Sequence, residues 1–229
     1  QLTSHFMVTP QTIRRDLNQL ANLGHVRRHH GGASSSSSTK NSDYSDRLSF
    51  NMEAKNRIAE KVASSIPNGA SLFINIGTTT EAIARALLHH EELQIVTNNL
   101  HVAAILLPKK DFNVIIAGGQ VRSRDGGIVG EQTSDFINQF KMDFGIIGIS
   151  AIHEDGSLLD YDYREVRVAQ SIIKNSSKLI LSADNSKFDR TALARLGHIS
   201  QADDLYTDQT PGQHTLDILT AHDVKLHIA

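Results

Sequence analysis

Residues 72–88 read LFINIGTTTEAIARALL, and the join at Gly77-Thr78-Thr79-Thr80 decides the architecture. The apolar run 72–76 has the length of a strand. Beyond the polar turn, Ile83, Ala84, Leu87 and Leu88 recur at helical spacing. Strand, turn, helix in that order places unpaired N–H groups and the positive end of a helix dipole just past a strand, which suits an anion and above all a phosphate. Gly77 allows a tight turn, and three hydroxyls add donors. An ordinary Gly-Thr turn with a threonine N-cap has the same four residues, so the rest of the chain must decide between the two.

Working outward, short apolar runs alternate with helical patterns. Strands are expected at 72–76, 94–97, 112–117, 143–149 and 178–183, with a last one near 224–228. Helices are expected near 81–89, 100–107, 133–140, 164–175 and 214–221. A further helix carries Ala54, Ile58, Val62 and Ile66 four apart and is stopped by Pro67-Asn68-Gly69. This alternation predicts an α/β fold with a largely parallel sheet covered by helices, in which ligands bind beyond the carboxyl ends of the strands. The residues just past those ends are Gly77–Thr80, Asn98-Asn99, Gly118-Gly119 with Arg122 and Arg124 close behind, and Asp184-Asn185-Ser186-Lys187. Each has a plain structural explanation by itself, as a cap, a turn or a surface ion pair. Together they supply what a small phosphorylated polyol needs: donors for phosphate, and amides and carboxylates for hydroxyls. The glycine-rich segment 122–127 is expected to be a loop beside that site, and Asp155-Gly156 a hairpin turn. Tyr161-Asp162-Tyr163-Arg164-Glu165 should start a helix, and His89, His90 and His101 should lie on the surface.

The N-terminal residues have a different character. Of the net charge of −2, residues 1–33 carry +3, leaving −5 on the remainder. Thr9 is placed to cap a helix with Pro10 at its first position. Ile13, Leu17 and Leu20 form that helix's apolar stripe to about residue 22, while Gln11, Arg14, Arg15 and Asn18 project from the opposite face. Guanidiniums and amides on a short helix are what base-edge and phosphate contacts require, which reads as the second half of a helix-turn-helix. Gly24 ends the helix, and 25–32, HVRRHHGG, reads as a β-ribbon wing whose cations follow a phosphate backbone. The expected DNA contacts are Thr9, Gln11, Thr12, Arg14, Arg15, Asn18, Arg27, Arg28 and His30. A metal site is disfavoured, because the wing histidines lie off a helix face and no carboxylate is near. The five serines 34–38 mark a flexible linker. The expected division is a DNA-binding module at 1–33, a linker at 34–49 and an effector-binding and oligomerisation domain at 50–229. Ile13, Leu17 and Leu20 have only residues 1–6, Val8 and Val26 to bury against, so an N-terminally incomplete, poorly packed module is expected, with weakened specific operator binding.

The chain has no cysteine and no apolar run of membrane-spanning length, which fits a cytoplasmic protein. No cofactor or metal is expected.

Residues 7–33, MVTPQTIRRDLNQLANLGHVRRHHGGA, resemble the winged helix-turn-helix of the DeoR family of bacterial repressors. Residues 71–187 resemble that family's effector domain through the Gly77–Thr80 turn, Thr97-Asn98-Asn99 and Ala183-Asp184-Asn185-Ser186-Lys187. Two segments, RSRDGGIVGEQTSDFINQF (122–140) and DFGIIGISAIHEDGSLLDYDYREVR (143–167), carry a narrower match within the family. The resemblance implies a homo-oligomeric repressor that binds operator DNA and releases it on binding a sugar phosphate, for the narrower match glycerol 3-phosphate. It also implies an effector domain of the ribose-5-phosphate isomerase/CoA-transferase type. The implied ligand-binding residues are Gly77, Thr78, Thr79, Thr80, Asn98, Asn99, Gly119, Arg122, Asp143, Glu165 and Lys187. Asp143, Glu165 and Lys187 fall where the isomerase's acidic segment, glutamate and late lysine are expected. The isomerase's paired aspartates are reduced to Asp143, and its Lys-Gly-Gly-Gly loop is replaced by Leu159-Asp160-Tyr161. These losses favour a sensor over an enzyme, because a general base must reach the proton it removes. An isomerase with an appended N-terminal module and a bare oligomerisation scaffold are the rival readings. The basic reading helix argues against the first, and the convergent polar strand ends against the second.

Overall fold

The computed structural model describes residues 2–22, 26–29, 32–35, 41 and 43–229. At the N-terminus, α1 (Leu2–Phe6) and α2 (Pro10–Asn22) precede β1 (Val26–His29) and β2 (Gly32–Ser35), which pair antiparallel as a wing with Val26 opposite Ser35. Thr9 caps α2, its Oγ1 accepting from Thr12 N at 3.2 Å. Ile13 and Leu17 are half-buried and Leu20 is exposed. His30 and the serines 36–38 lie outside the described residues.

The segment read as linker is partly structured. Ser34 and Ser35 belong to β2, and Tyr44–Ser49 form a helix, α3. Then come α4 (Met52–Ala63), β3 (Ser71–Ile74), α5 (Thr78–Ala86), β4 (Gln94–Thr97), α6 (Leu100–Leu106), β5 (Asn113–Ile116), β6 (Gln120–Arg122), β7 (Gly127–Val129) and α7 (Glu131–Ile137). The chain continues through β8 (Met142–Gly148), β9 (Ala151–Ile152), β10 (Ser157–Asp160), α8 (Tyr163–Lys174), β11 (Ser176–Ser182), β12 (Ala194–His198), β13 (Asp204–Thr207), α9 (Gln213–Ala221) and β14 (Lys225–Ile228).

Seven strands form one parallel sheet in the order β14-β13-β11-β8-β3-β4-β5. Alternate residues of each strand feed opposite faces. Leu72, Ile74, Ile95, Ile146 and Ile180 pack under Ile58 and Val62 of α4, Ile83 of α5 and Val102 of α6. Phe73, Val96, Ile147, Leu179 and Leu205 face Ile137 of α7, Val166 and Ile172 of α8 and Leu219 of α9. Burial on both faces explains the continuous apolar runs. Beside this sheet sit the hairpin β6–β7, whose turn holds the glycine-rich segment, and a small antiparallel sheet β12-β10-β9 with Asp155-Gly156 at its turn.

From β3 the chain winds outward through β4 and β5, then returns to the other side of β3 at β8 and continues to β14. The direction of winding reverses between β3 and β8, and a crevice opens at such a point.

Candidate effector cavity

The cavity lies at that reversal. Ile76 and Gly77 past β3, and Gly148, Ile149 and Ser150 at the end of β8, form its floor. Thr78 and Thr79, in the first turn of α5, form one wall, Asp125, Asp160 and Glu165 another, and Lys187, Asn41 and Arg47 complete it. The room between them is small, about 30 Å³.

Gly77 has φ +150°, a conformation that side chains rarely adopt, and a Cβ there would meet Thr80 Oγ1 at 3.4 Å. It is the N-cap of α5 yet has no side chain to satisfy the helix's first amides. Thr80 Oγ1 turns inward, 2.7 Å from Asn75 O and 2.8 Å from Gly77 O, and locks the turn. The amides of the first turn are thus aimed at the cavity from a fixed frame, an arrangement made for an anion.

The opposite wall is acidic. Arg122 donates to Asp125 through Nε and Nη2 (both 2.8 Å), to Asp162 (3.1 Å) and to Glu165 (2.6 Å). Arg47 and Arg124 also reach Asp125, and Arg164 reaches Asp162, so Glu165 is the carboxylate that depends on Arg122 alone. Burial, and then the nearby Asp160, therefore push the Glu165 carboxyl above the usual range despite the short bond to Arg122. Burial raises Asp160 as well, although Ser150 Oγ (3.1 Å) and Tyr161 N (2.6 Å) donate to its Oδ1. The cations shift the other way. Burial lowers Lys187, with Asp184 opposing. Burial and then Lys187 bring Lys55 down to about 8. Burial would raise Asp184, but Lys187 and bonds from Ser186 and Asn51 hold it low. Within the cavity, burial pushes Lys187 toward neutrality and Asp160 and Glu165 toward protonation.

Of the residues expected to bind ligand, the cavity brings together Gly77, Thr78, Thr79, Glu165 and Lys187. The others have different employment. Thr80 is spent on the turn. Asn98 Nδ2 donates to Ile128 O (3.1 Å), and Asn99 caps α6 by accepting from His101 N (2.9 Å). Gly119 has φ +148°, and a Cβ there would collide with Thr133 Oγ1 at 2.0 Å, so packing against α7 requires it. Arg122 stands behind the carboxylates. Asp143 lies apart from the cavity: second in β8, at the far end of the sheet, it accepts from Ser71 N (2.9 Å) and Oγ (2.7 Å). His101 is likewise more than a surface residue, because its ring stacks on Tyr44 at 5.0 Å.

Asn41, Arg47, Asp125, Ser150 and Asp160 were missed. Asp160 carried a signal, as the acid standing where the isomerase has its lysine loop, and so did Asp125, as the acid of the glycine-rich segment expected beside the site. Asn41 and Arg47 carried none, because they follow a serine run that reads as spacer. Among the described residues no group of three or more His, Asp or Glu side chains is placed to hold a metal.

On α2, Gln11, Thr12, Arg14, Arg15 and Asn18 are exposed, on the face away from Ile13 and Leu17. Thr9 and Thr12 bond each other through their hydroxyls at 3.0 Å. Arg27 and Arg28 lie on β1, the first strand of the wing.

Comparison with known proteins gives a consistent picture. A profile described as the DeoR C terminal sensor domain matches residues 50–209, and one described as a DeoR-like helix-turn-helix domain matches residues 1–39. The glycerol-3-phosphate regulon repressor of Escherichia coli (strain K12) is 55% identical over 228 residues, covering 100% of this chain and 90% of the relative. A protein of the same name from Haemophilus influenzae is 58% identical over 211 residues, 92% of this chain and 82% of the relative. Among solved structures, eIF2B delta from Chaetomium thermophilum superposes with TM-score 0.52 at 15% identity, over 70% of this chain and 57% of that one, a likeness of fold alone. Ribose 5-phosphate isomerase A from Methanocaldococcus jannaschii superposes with TM-score 0.44 at 11% identity, and the chain spans 55% of its length.

Proposed function

This chain belongs to the DeoR family, and on that premise we propose that it is a transcriptional repressor whose hold on operator DNA is relieved by a small phosphorylated polyol, glycerol 3-phosphate. The observation that carries the proposal is the cavity at the β3/β8 reversal, where the open amides of α5 and the two cations Arg47 and Lys187 share one space with Asp160 and Glu165. In the proposed complex the phosphate sits on Gly77–Thr79, between Arg47 and Lys187, and the hydroxyls reach the carboxyls. Preorganised amides and charge-assisted bonds supply affinity, and the acidic wall selects for hydroxyls over further negative charge.

Operator contact falls to the exposed face of α2 in the major groove and to the wing along the backbone, with Arg14, Arg15, Arg27 and Arg28 neutralising phosphates. The division at 1–33, 34–49 and 50–229, and assembly as a homo-oligomer, belong to the same proposal. Effector and operator oppose each other, because a ligand that prefers one arrangement of the protein must be disfavoured by whatever prefers the other.

Isomerase chemistry is not part of the proposal. Glu165, which an enzyme would need as a free base, is held by Arg122, and Asp160 occupies the place of a lysine loop. Titration calorimetry with glycerol 3-phosphate tests the binding proposal. Saturable one-site binding that Lys187→Met weakens is expected; wild-type protein with no binding heat, or turnover of ribose 5-phosphate in a coupled assay, refutes it.

A further inference from the structure

The helix α3 joins the DNA-binding module to the effector domain, yet it is six residues long and none of them is buried. A helix this short does not hold itself together in water. Polar and aromatic tethers at the effector cavity hold it instead. Arg47 Nη2 donates to Asp125 Oδ2 at 3.2 Å, and Lys55 Nζ donates to the carbonyls of Arg47 and Phe50, the second at 2.7 Å.

One tether reaches the cavity through another residue. Tyr44 donates its hydroxyl to Glu81 Oε2 at 2.8 Å, its ring stacks on His101, and the Arg47 guanidinium lies 5.8 Å from the ring centroid. Glu81 is 1% exposed, stands in the first turn of α5 and also accepts from Asn99 Nδ2 at 3.4 Å. The helix that would hold the phosphate thus grips the connecting segment by a buried carboxylate.

Given a phosphorylated effector in this cavity, as proposed above, we infer that Tyr44 is a positioning residue: its bond to Glu81 seats α3, and with it Arg47, over the bound phosphate, and so ties effector occupancy to the segment that leads to the DNA-binding module. Phosphate beside Arg47 favours the seated helix, and by reciprocity the seated helix favours phosphate. With no buried side chain, α3 belongs to the low-stability end of the fold, where a modest free energy moves the balance between seated and released. Seating shortens the reach of the DNA-binding module, and effector-driven loss of operator affinity follows.

The test is Tyr44→Phe in the full chain, which keeps the ring and removes the donor. Operator affinity without effector should rise above wild type because the helix is released more often, glycerol 3-phosphate should bind about 3- to 10-fold more weakly, and release of operator at a fixed effector concentration should weaken in step. In wild type, amide exchange of residues 44–49 should slow when glycerol 3-phosphate is added, and this holds whether or not the variant folds. Wild type that fails to bind glycerol 3-phosphate refutes the effector assignment. Wild type that binds it, with exchange at 44–49 unaltered or with Tyr44→Phe binding and releasing as wild type does, refutes the role of Tyr44 and leaves the effector assignment standing.

Discussion

Raising the pH from 7 to 9 probes the cavity's charge directly. Burial and Lys187 bring Lys55 down to about 8 in the empty protein, and burial lowers Lys187 too. A phosphate dianion favours the charged form of both, so their pKa values rise on binding and protons are taken up from solution. Affinity is then greatest below the empty-state pKa and falls as pH rises through it. At pH 8 about half of Lys55 is charged before binding, so this group can take up at most about 0.5 proton. Its charged fraction drops about tenfold between pH 7 and pH 9, so full coupling would weaken binding by about 1.4 kcal/mol, an upper limit because Lys55 stands outside the residues that line the cavity. The ligand's own second ionisation, near pH ~6, lies below this window. Without ligand the sign reverses for Lys55: the unfolded chain binds its proton more tightly, a contribution that grows as pH rises, while Glu165, pushed up to about 8, contributes in the opposite direction over the same range. Calorimetry with glycerol 3-phosphate at pH 8, in two buffers of different ionisation heat, reads the uptake as a difference in apparent enthalpy. Equal enthalpies in both buffers, with Kd flat from pH 7 to 9, would refute the reasoning.

Other perturbations separate the cavity from its surroundings. Thr79→Glu places an acid where the phosphate should sit, so calorimetry should show no binding while the circular dichroism spectrum stays that of wild type. Arg122→Leu leaves Glu165 without a cation, while Asp125 keeps Arg47 and Asp162 keeps Arg164; chemical denaturation should show a loss of about 3 kcal/mol, smaller at pH 5 than at pH 8 because protonation of Glu165 relieves the uncompensated charge. Asp143→Asn should leave glycerol 3-phosphate affinity unchanged and cost about 1 kcal/mol or less in denaturant, because the residue bonds only Ser71 at the far end of the sheet.

The parallel sheet was legible because strands buried on both faces must be largely apolar, as the inner strands β3, β4, β8 and β11 are; the half-exposed edge strands β5 and β14 showed as short apolar-containing runs beside helical patterns. The exception, β13, is four residues long, begins with Asp204 and ends with Thr207, and so lacks the pattern. The turn at Gly77–Thr80 was legible as a strand-to-helix join because it stands between an apolar run and a segment of helical spacing. Residues whose partners lie far off in sequence were not. Arg122 looks like a phosphate donor until folding brings Asp162 and Glu165 to it, and Asn99 looks like a ligand amide until its own helix needs a cap. Asp143 was placed by resemblance to the isomerase, although its position at the start of an apolar run already put it at the wrong end of a parallel strand. The helix α3 has no buried face and follows a serine run, so nothing local marks it; only tertiary tethers make it a helix.

Operator DNA binding with and without glycerol 3-phosphate tests the central claim most directly. In fluorescence anisotropy at fixed salt, the protein should bind a labelled operator duplex more tightly than a scrambled one, and millimolar glycerol 3-phosphate should release the operator while glycerol alone does not. Operator affinity that stays the same at saturating glycerol 3-phosphate would contradict the account.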